Sequence, residues 1–371
     1  MKPFSRTIIW SALLILISCA FLAACSEENE LEPTPVPKPK PEPSTPSLDI
    51  YQLPVVFHVM YQDEADSLQY IPAAQLESVL KRVNDFYAGK TLFPGGSSKT
   101  DMSVQFYLAQ KDESGKTLQT PGVDYVRVQN VKIDCEKFMS DEGLPYQKHL
   151  WDPNQYINVF LYHFAKIQGG EILGISHLPY NVKDENELIG LNEVKQSYIQ
   201  KNNLGYIHCV SLNSKYAYEQ TEKYYSAEDF AVTMAHELGH YLGLHHAFDE
   251  DDQGNLVSSC IDSDYCKDTP SYDRNAYLTD LEWMLSHDKE QKLTLSDLVK
   301  RQNCKTGLGF SSYNIMDYMY SYSDRFTNDQ RNRVRHVLQY SPLLPTPRNS
   351  VSTVKTRAVE GVLDLPYKAV K

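Results

Sequence analysis

Residues 236–246 restrict what this chain can be more than any other stretch. His236 and His240 stand four apart in an apolar run, so on a helix their imidazoles project from one face. Glu237 lies about 100° round from His236, beside that face rather than on it. Gly243 can take a positive φ, which would end the helix and bring His246 back from another direction. Three histidine nitrogens at roughly 2.0–2.1 Å leave one position of a zinc tetrahedron open, the arrangement of a catalytic zinc. The chain has 17 Gly and 11 His, so meeting Gly243 and His246 at these offsets by chance is roughly a 1 in 700 event. Four of the histidines fall within residues 236–246, a density that core packing does not explain. His245 is one position short of the offset and is expected to be exposed or hydrogen-bonded. Ser226, with Asp229 three residues later, reads as a capping box opening the helix. Ala231, Val232, Met234, Ala235 and Leu238 cover most of its surface and predict a buried helix.

Around this segment the hydrophobic pattern predicts an α/β fold. Leu53–Tyr61 is β-branched and aromatic, a strand. Leu76, Val79, Leu80, Val83 and Phe86 recur at helical spacing within Pro72–Tyr87. Met102–Ala109 and Tyr156–His163 read as further strands, and Ile172–Leu178 and Tyr206–Ser211 as shorter ones. Strand, helix, strand, strand is the order of a sheet of mixed direction. A hydrophobic fraction of 42% excludes wholesale disorder. Lys and Arg number 36 against 48 Asp and Glu, a net charge of −12, which gives no electrostatic footprint for nucleic acid.

The first 48 residues read as delivery rather than fold. Lys2 and Arg6 precede an apolar run from Ile8 to Ala24, the layout of a secretory signal. The run ends Leu22-Ala23-Ala24-Cys25, which resembles a bacterial lipobox with Cys25 as the acylated residue. An uncleaved membrane anchor is the alternative. Ser26 after the cysteine resembles outer-membrane sorting, and Ser26-Glu27-Glu28 resembles an acidic surface-export tag of a Gram-negative lipoprotein. From Pro33 to Pro46 prolines alternate with polar residues, a polyproline tether reaching roughly 40 Å. The expected organisation is a signal over 1–24, an acylated tether over 25–48 and a folded body over 49–342. Residues 343–371, with several prolines and scattered charges, are expected to form a loosely ordered tail. The membrane would then be held through lipid alone, and the body is expected to be monomeric.

Of the seven cysteines, Cys19 falls in the signal and Cys25 is the acylated residue, leaving five for the body. Export permits disulfides, and no CxxC zinc spacing exists. Cys304 paired with Cys260 or with Cys266 would staple the long loop region between them. The acidic stretch Asp249–Asp252 fails as an EF-hand, because Gln253 fills position 5 and Cys260 stands where the bidentate Glu belongs. It reads as a solvated loop.

His236-Glu237-x-x-His240-x-x-Gly243-x-x-His246 resembles the metzincin zinc signature. Asn314-Ile315-Met316-Asp317-Tyr318 resembles the methionine turn of the pappalysin branch. The opening LPVVFHVMY, the Asp268-Thr269-Pro270 loop and the run Phe326–Arg331 extend the likeness over about residues 50–342. The polar stretch 181–203 departs from that pattern, as does Cys266, which stands where an aliphatic residue is usual. The resemblance implies an upper subdomain of twisted mixed sheet with two long helices, about 49–243. Beneath it would lie a mostly irregular lower subdomain, about 244–342, closed by a C-terminal helix. It implies a zinc endopeptidase acting on proteins or peptides, with Glu237 as general base and then acid. Met316 would pack under the zinc ligands, and Tyr318, one of 26 tyrosines, would assist the oxyanion. Asp264, Asp268 and Thr269 match a loop that binds structural calcium in such enzymes. A surface binding lipoprotein with an idle peptidase-like body is the competing class.

Overall fold

The segment LPVVFHVMY becomes the spine of the sheet. The computed structural model describes residues 49–90, 100–130, 132–166, 171–221, 225–251, 254–318, 320–346 and 368–370. The signal, Cys25 and the tether lie outside the described residues. In chain order the elements are β1 (Tyr51–Tyr61), α1 (Ala73–Tyr87), β2 (Val104–Leu108), β3 (Val123–Arg127), α2 (Cys135–Phe138), β4 (Ile157–Tyr162) and β5 (Gly174–His177). Short strands β6 (Asn181–Val182) and β7 (Glu193–Val194) precede β8 (Val210–Asn213) and α3 (Phe230–Tyr241). Then follow α4 (Arg274–His287), α5 (Leu295–Leu298), β9 (Lys300–Gln302), β10 (Gly309–Ser311), α6 (Asn328–Tyr340) and β11 (Lys368–Val370).

The main sheet runs β11-β5-β8-β4-β1-β2, with β3 continuing along the far half of β1. Strands β2, β3 and β4 are parallel to β1 and β8 is parallel to β4, while β5 runs antiparallel to β8. Strand β4 is buried throughout, as a central strand covered on both faces must be. Ile157, Val159 and Leu161 face the core under α1 and α3, while Phe160 and Tyr162 join a second core with Phe138 and Tyr206. The expected strand at Tyr206–Ser211 pairs instead over Val210–Asn213, because Tyr206, Ile207 and Cys209 fill the second core ahead of the ladder.

From Leu48 on the chain is one unit by its contacts, so the expected upper and lower parts are regions of a single body. The lower region is less irregular than expected: α4 adds a 14-residue helix whose buried positions are Arg274, Tyr277 and Leu281. Stretch 181–203 is docked, with Arg333 of α6 donating to the Ile189 carbonyl at 2.8 Å and His336 paired with the Asn186 carbonyl at 2.6 Å. The expectation of a loose tail from 343 fails for its described parts. Leu343 and Leu344 are fully buried, and Lys368–Val370 pair with β5. Among the described residues no helix is long and apolar enough to cross a membrane.

Candidate metal centre

Helix α3 begins one turn later than the capping-box reading placed it. Asp229 is its N-cap, accepting from the amides of Ala231 and Val232, and its carboxylate is held by Arg82 at 2.9 and 3.3 Å. Ser226 is not part of the cap; its amide bonds to the Thr221 hydroxyl. A buried aspartate needs such partners, and here the cap and the ion pair supply them together. The helix ends as its glycine predicts. Gly243 has φ +94°, and the Leu244 amide turns back to the Gly239 carbonyl at 2.9 Å.

His236, His240 and His246 converge, all buried. His240 Nε2 stands 2.9 Å from His236 Nε2 and 3.1 Å from His246 Nε2. Their opposite nitrogens decide what this means. His236 Nδ1 donates to the Ile315 carbonyl at 2.7 Å, His240 Nδ1 to the Leu244 carbonyl at 2.8 Å, and His246 Nδ1 to the Glu250 carboxylate at 2.7 Å. A carbonyl accepts only, so those protons sit on Nδ1 in the neutral rings and the Nε2 lone pairs face one another. Three such lone pairs at this spacing repel unless a cation lies between them. Nitrogens about 2.0–2.1 Å from a tetrahedral zinc stand roughly 3.3 Å apart, within a few tenths of an ångström of what is seen. The donor set fits zinc.

Two glycines let other groups approach this centre. A Cβ on Gly239 would lie 2.5 Å from the Met316 sulfur, so the methionine turn packs straight against α3 between the two helix histidines. A Cβ on Gly174 of β5 would lie 2.6 Å from Glu237 Cγ and 2.8 Å from its Oε1. Glu237 is thus fully buried, its side chain filling the gap between α3 and β5, the strand that runs antiparallel to β8.

Tyr318 stands beside the histidines, its ring 4.6 Å from that of His246 and 5.9 Å from that of His236. The guanidinium of Arg274 lies 4.6 Å over the same ring. Asp317 anchors the turn from below, taking the Tyr272 hydroxyl at 2.5 Å and the Tyr318 amide at 2.7 Å, with Arg274 and Arg301 each at 3.6 Å. Burial, with Glu250 and Glu237 nearby, raises the Tyr318 phenol well above its ordinary pKa and keeps it protonated. His245 points away toward Tyr265, and burial with Arg333 beside it lowers its pKa to about 3.

Two site residues escape a reading of the sequence alone, Glu250 and Gly174. Glu250 lies in the acidic stretch read as a solvated loop, yet it orients His246, and its neighbour Asp249 is buried. A carboxylate four residues beyond the third histidine is the one signal that pointed to Glu250. Gly174 carries no local signal.

Of the proposed cysteine pairings, Cys260–Cys304 forms, with Cα atoms 5.8 Å apart; Cys266 is a buried thiol. Asp264 and Thr269 meet at a cavity of about 10 Å³ that Asp249 also lines. Asp249 Oδ2, Asp264 Oδ2 and Thr269 Oγ1 are buried without a hydrogen-bond partner. Burial and Asp262 push the Asp264 carboxyl up to about 8, and burial and Asp273 push Asp249 to about 6. Asp268 does not join them: it is exposed and accepts the Asp329 amide at the start of α6.

Fold and site together define a metallopeptidase of the metzincin type. Residues 143–339, more than half of the chain, match the peptidase M43 family, described as pregnancy-associated plasma protein-A, and the chain belongs to that family. It is similar to extracellular metalloproteases of Arthroderma benhamiae, 32% identical over 103 residues, and of Arthroderma otae, 31% over 108 residues. Those stretches are 28% and 29% of this chain and 29% and 31% of the relatives, so the match spans under a third of their length. Among solved structures, a mutant of Tannerella forsythia promirolysin shares the fold, with TM-score 0.53 and 18% identity over 79% of this chain and 83% of that one.

Proposed function

We propose that this chain is a zinc-dependent endopeptidase acting on proteins outside the cytoplasm. The observation that carries the proposal is three inward-facing Nε2 lone pairs, with Glu237, the next residue after His236, buried against Gly174. His236, His240 and His246 would hold the ion. When bound, zinc acidifies water and polarises a peptide carbonyl. Glu237 takes a proton from the attacking water, whose oxygen adds to the carbonyl carbon. It then gives that proton to the amide nitrogen as the C–N bond breaks. Tyr318, kept a neutral phenol, donates to the carbonyl oxygen as charge develops there. Met316 and the Ile315 carbonyl hold the rings. A surface binding protein would have no use for a carboxylate in that place. The test is Glu237→Ala: zinc content and thermal melting should match wild type while peptide turnover falls at least about a hundredfold. Wild-type cleavage by that variant would move the activity elsewhere, and a wild type inert toward diverse peptides would favour the binding class.

The buried oxygens of Asp249, Asp264 and Thr269 support a structural calcium site, with Asp249 in place of Asp268. We further propose that Cys25 is the acylated anchor of an exported, outer-membrane or surface lipoprotein. The lipobox and the proline run support that reading, and the extracellular naming of the relatives is consistent with export. Cys25→Ser should shift the protein from the detergent to the aqueous phase on phase separation; retention in detergent would rule the anchor out.

A further inference from the structure

Strand β5 ends the run of β1, β4 and β8, and its outer edge is covered by the chain's own segment Lys368–Val370. Pairing is antiparallel, with Lys368 opposite His177, Ala369 opposite Ser176 and Val370 opposite Ile175. The inner edge of β5 is spoken for: the His177 amide goes to the Cys209 carbonyl at 3.3 Å, and the Leu173 carbonyl accepts the Asn213 amide at 2.9 Å. Backbone groups alternate sides along a strand, so the N–H and C=O of Ser176 point outward, toward Ala369. Ser176 and Ala369 therefore form the hydrogen-bonded pair of this short ladder. The position of this edge matters, because Gly174 of β5 touches Glu237 and helix α3 packs against both β5 and β11.

We propose that Lys368–Val370 is a tethered occupant of the β5 edge that competes with peptide substrate for it. The inference rests on the endopeptidase reading above. A peptide about to be cleaved must lay an extended backbone beside Glu237 and the three imidazoles. The outer edge of β5 is a row of main-chain groups on the strand whose Gly174 lies against Glu237, and strand addition is how such an edge takes a peptide. Three residues pair weakly in trans. Held in the same chain, they act at an effective concentration on the order of millimolar, and the closed fraction is set by that concentration against the segment's own dissociation constant. The segment would thus raise KM by the reciprocal of the fraction of molecules whose edge is open and leave kcat alone.

The experiment compares the full zinc-loaded chain with a version lacking residues 368–371 and with Ala369→Pro, which removes the paired amide. Hydrogen exchange at the Ser176 amide is measured alongside kcat and KM on a mixed peptide set. Both variants should exchange Ser176 faster and show KM lowered by about threefold or more, with kcat unchanged. Equal Ser176 exchange in all three overturns the proposal even where peptides are cleaved. Faster exchange with unchanged KM in a cleaving enzyme overturns the competition. Faster exchange with no cleavage by any version keeps the strand pairing and sinks the endopeptidase reading instead.

Discussion

Alanine at position 174 should disable cleavage while leaving the metal in place. Alanine suits a strand, and Gly174 carries no positive φ that would forbid it. The obstacle is Glu237, whose Cγ would lie 2.6 Å and whose Cδ would lie 3.0 Å from the new methyl. Ordinary carbon contacts are about 3.5–4.0 Å, so the side chain must retreat by roughly 1 Å. Glu237 is fully buried on a helix packed from both sides, so the helix itself has little room to yield. A displacement of about 1 Å in a catalytic group costs on the order of a hundredfold, or about 2.7 kcal/mol of transition-state stabilisation. His236, His240 and His246 keep their partners, so zinc per chain should equal wild type. A quenched-peptide assay gives kcat/KM, and metal analysis gives occupancy. A second arm places Gly174→Ala in the Glu237→Ala background, where there is no carboxylate to displace. The glycine substitution should then add almost no further loss, a strong non-additivity. Wild-type kcat/KM in Gly174→Ala, loss of zinc, or full additivity in the double variant would each refute the steric argument.

Glu250→Ala removes the carboxylate that holds His246 Nδ1 at 2.7 Å; zinc affinity, read by competition with a chelator, should fall about 10–100-fold, and unchanged affinity would show that this partner is idle. Without a cation, Asp249 at about 6 and Asp264 at about 8 sit above the ordinary 3.8. Folded pKa values raised in this direction give stability that is present below about pH 4 and lost as pH rises through 6 and then 8. Calcium binds the ionised forms, so the gap in melting temperature with and without calcium, zinc held constant, should widen from pH 5 to pH 8. It should vanish in Asp264→Asn, and a gap independent of pH would count against the site.

What could be read in advance was whatever a single element encodes within itself. The stripe Leu76, Val79, Leu80, Val83, Phe86 is a property of one helix, and all five are buried on α1. The same holds for His236 and His240, whose meeting needs only the pitch of α3, and for Gly243, whose positive φ ends it. Helix α4 gave no such stripe: Leu278, Trp283 and Leu285 stay exposed while Arg274 is buried over Tyr318. Its inward face is set by partners far along the chain, Asp317 and Tyr318, and not by hydrophobicity. Strand β3 is five residues with only Val123 and Val126 buried, too short to separate from a loop until β1 is seen to run past β2 and offer it an edge. Glu250 and Gly174 belong to the same class. Gly174 matters through a contact made across to α3, which nothing in its immediate neighbours encodes, while Glu250 reaches back four residues to His246 only because of how the chain turns after Gly243. The division has a physical reason. The metal ligands must be rigid relative to one another, which favours placing two of them on one helix where local geometry enforces it. The groups that orient those ligands and exclude water must come from every side of the site. Most are therefore drawn from elements distant in sequence, as Gly174, Ile315 and Met316 are, while Glu250 and the Leu244 carbonyl come from the turn that follows α3.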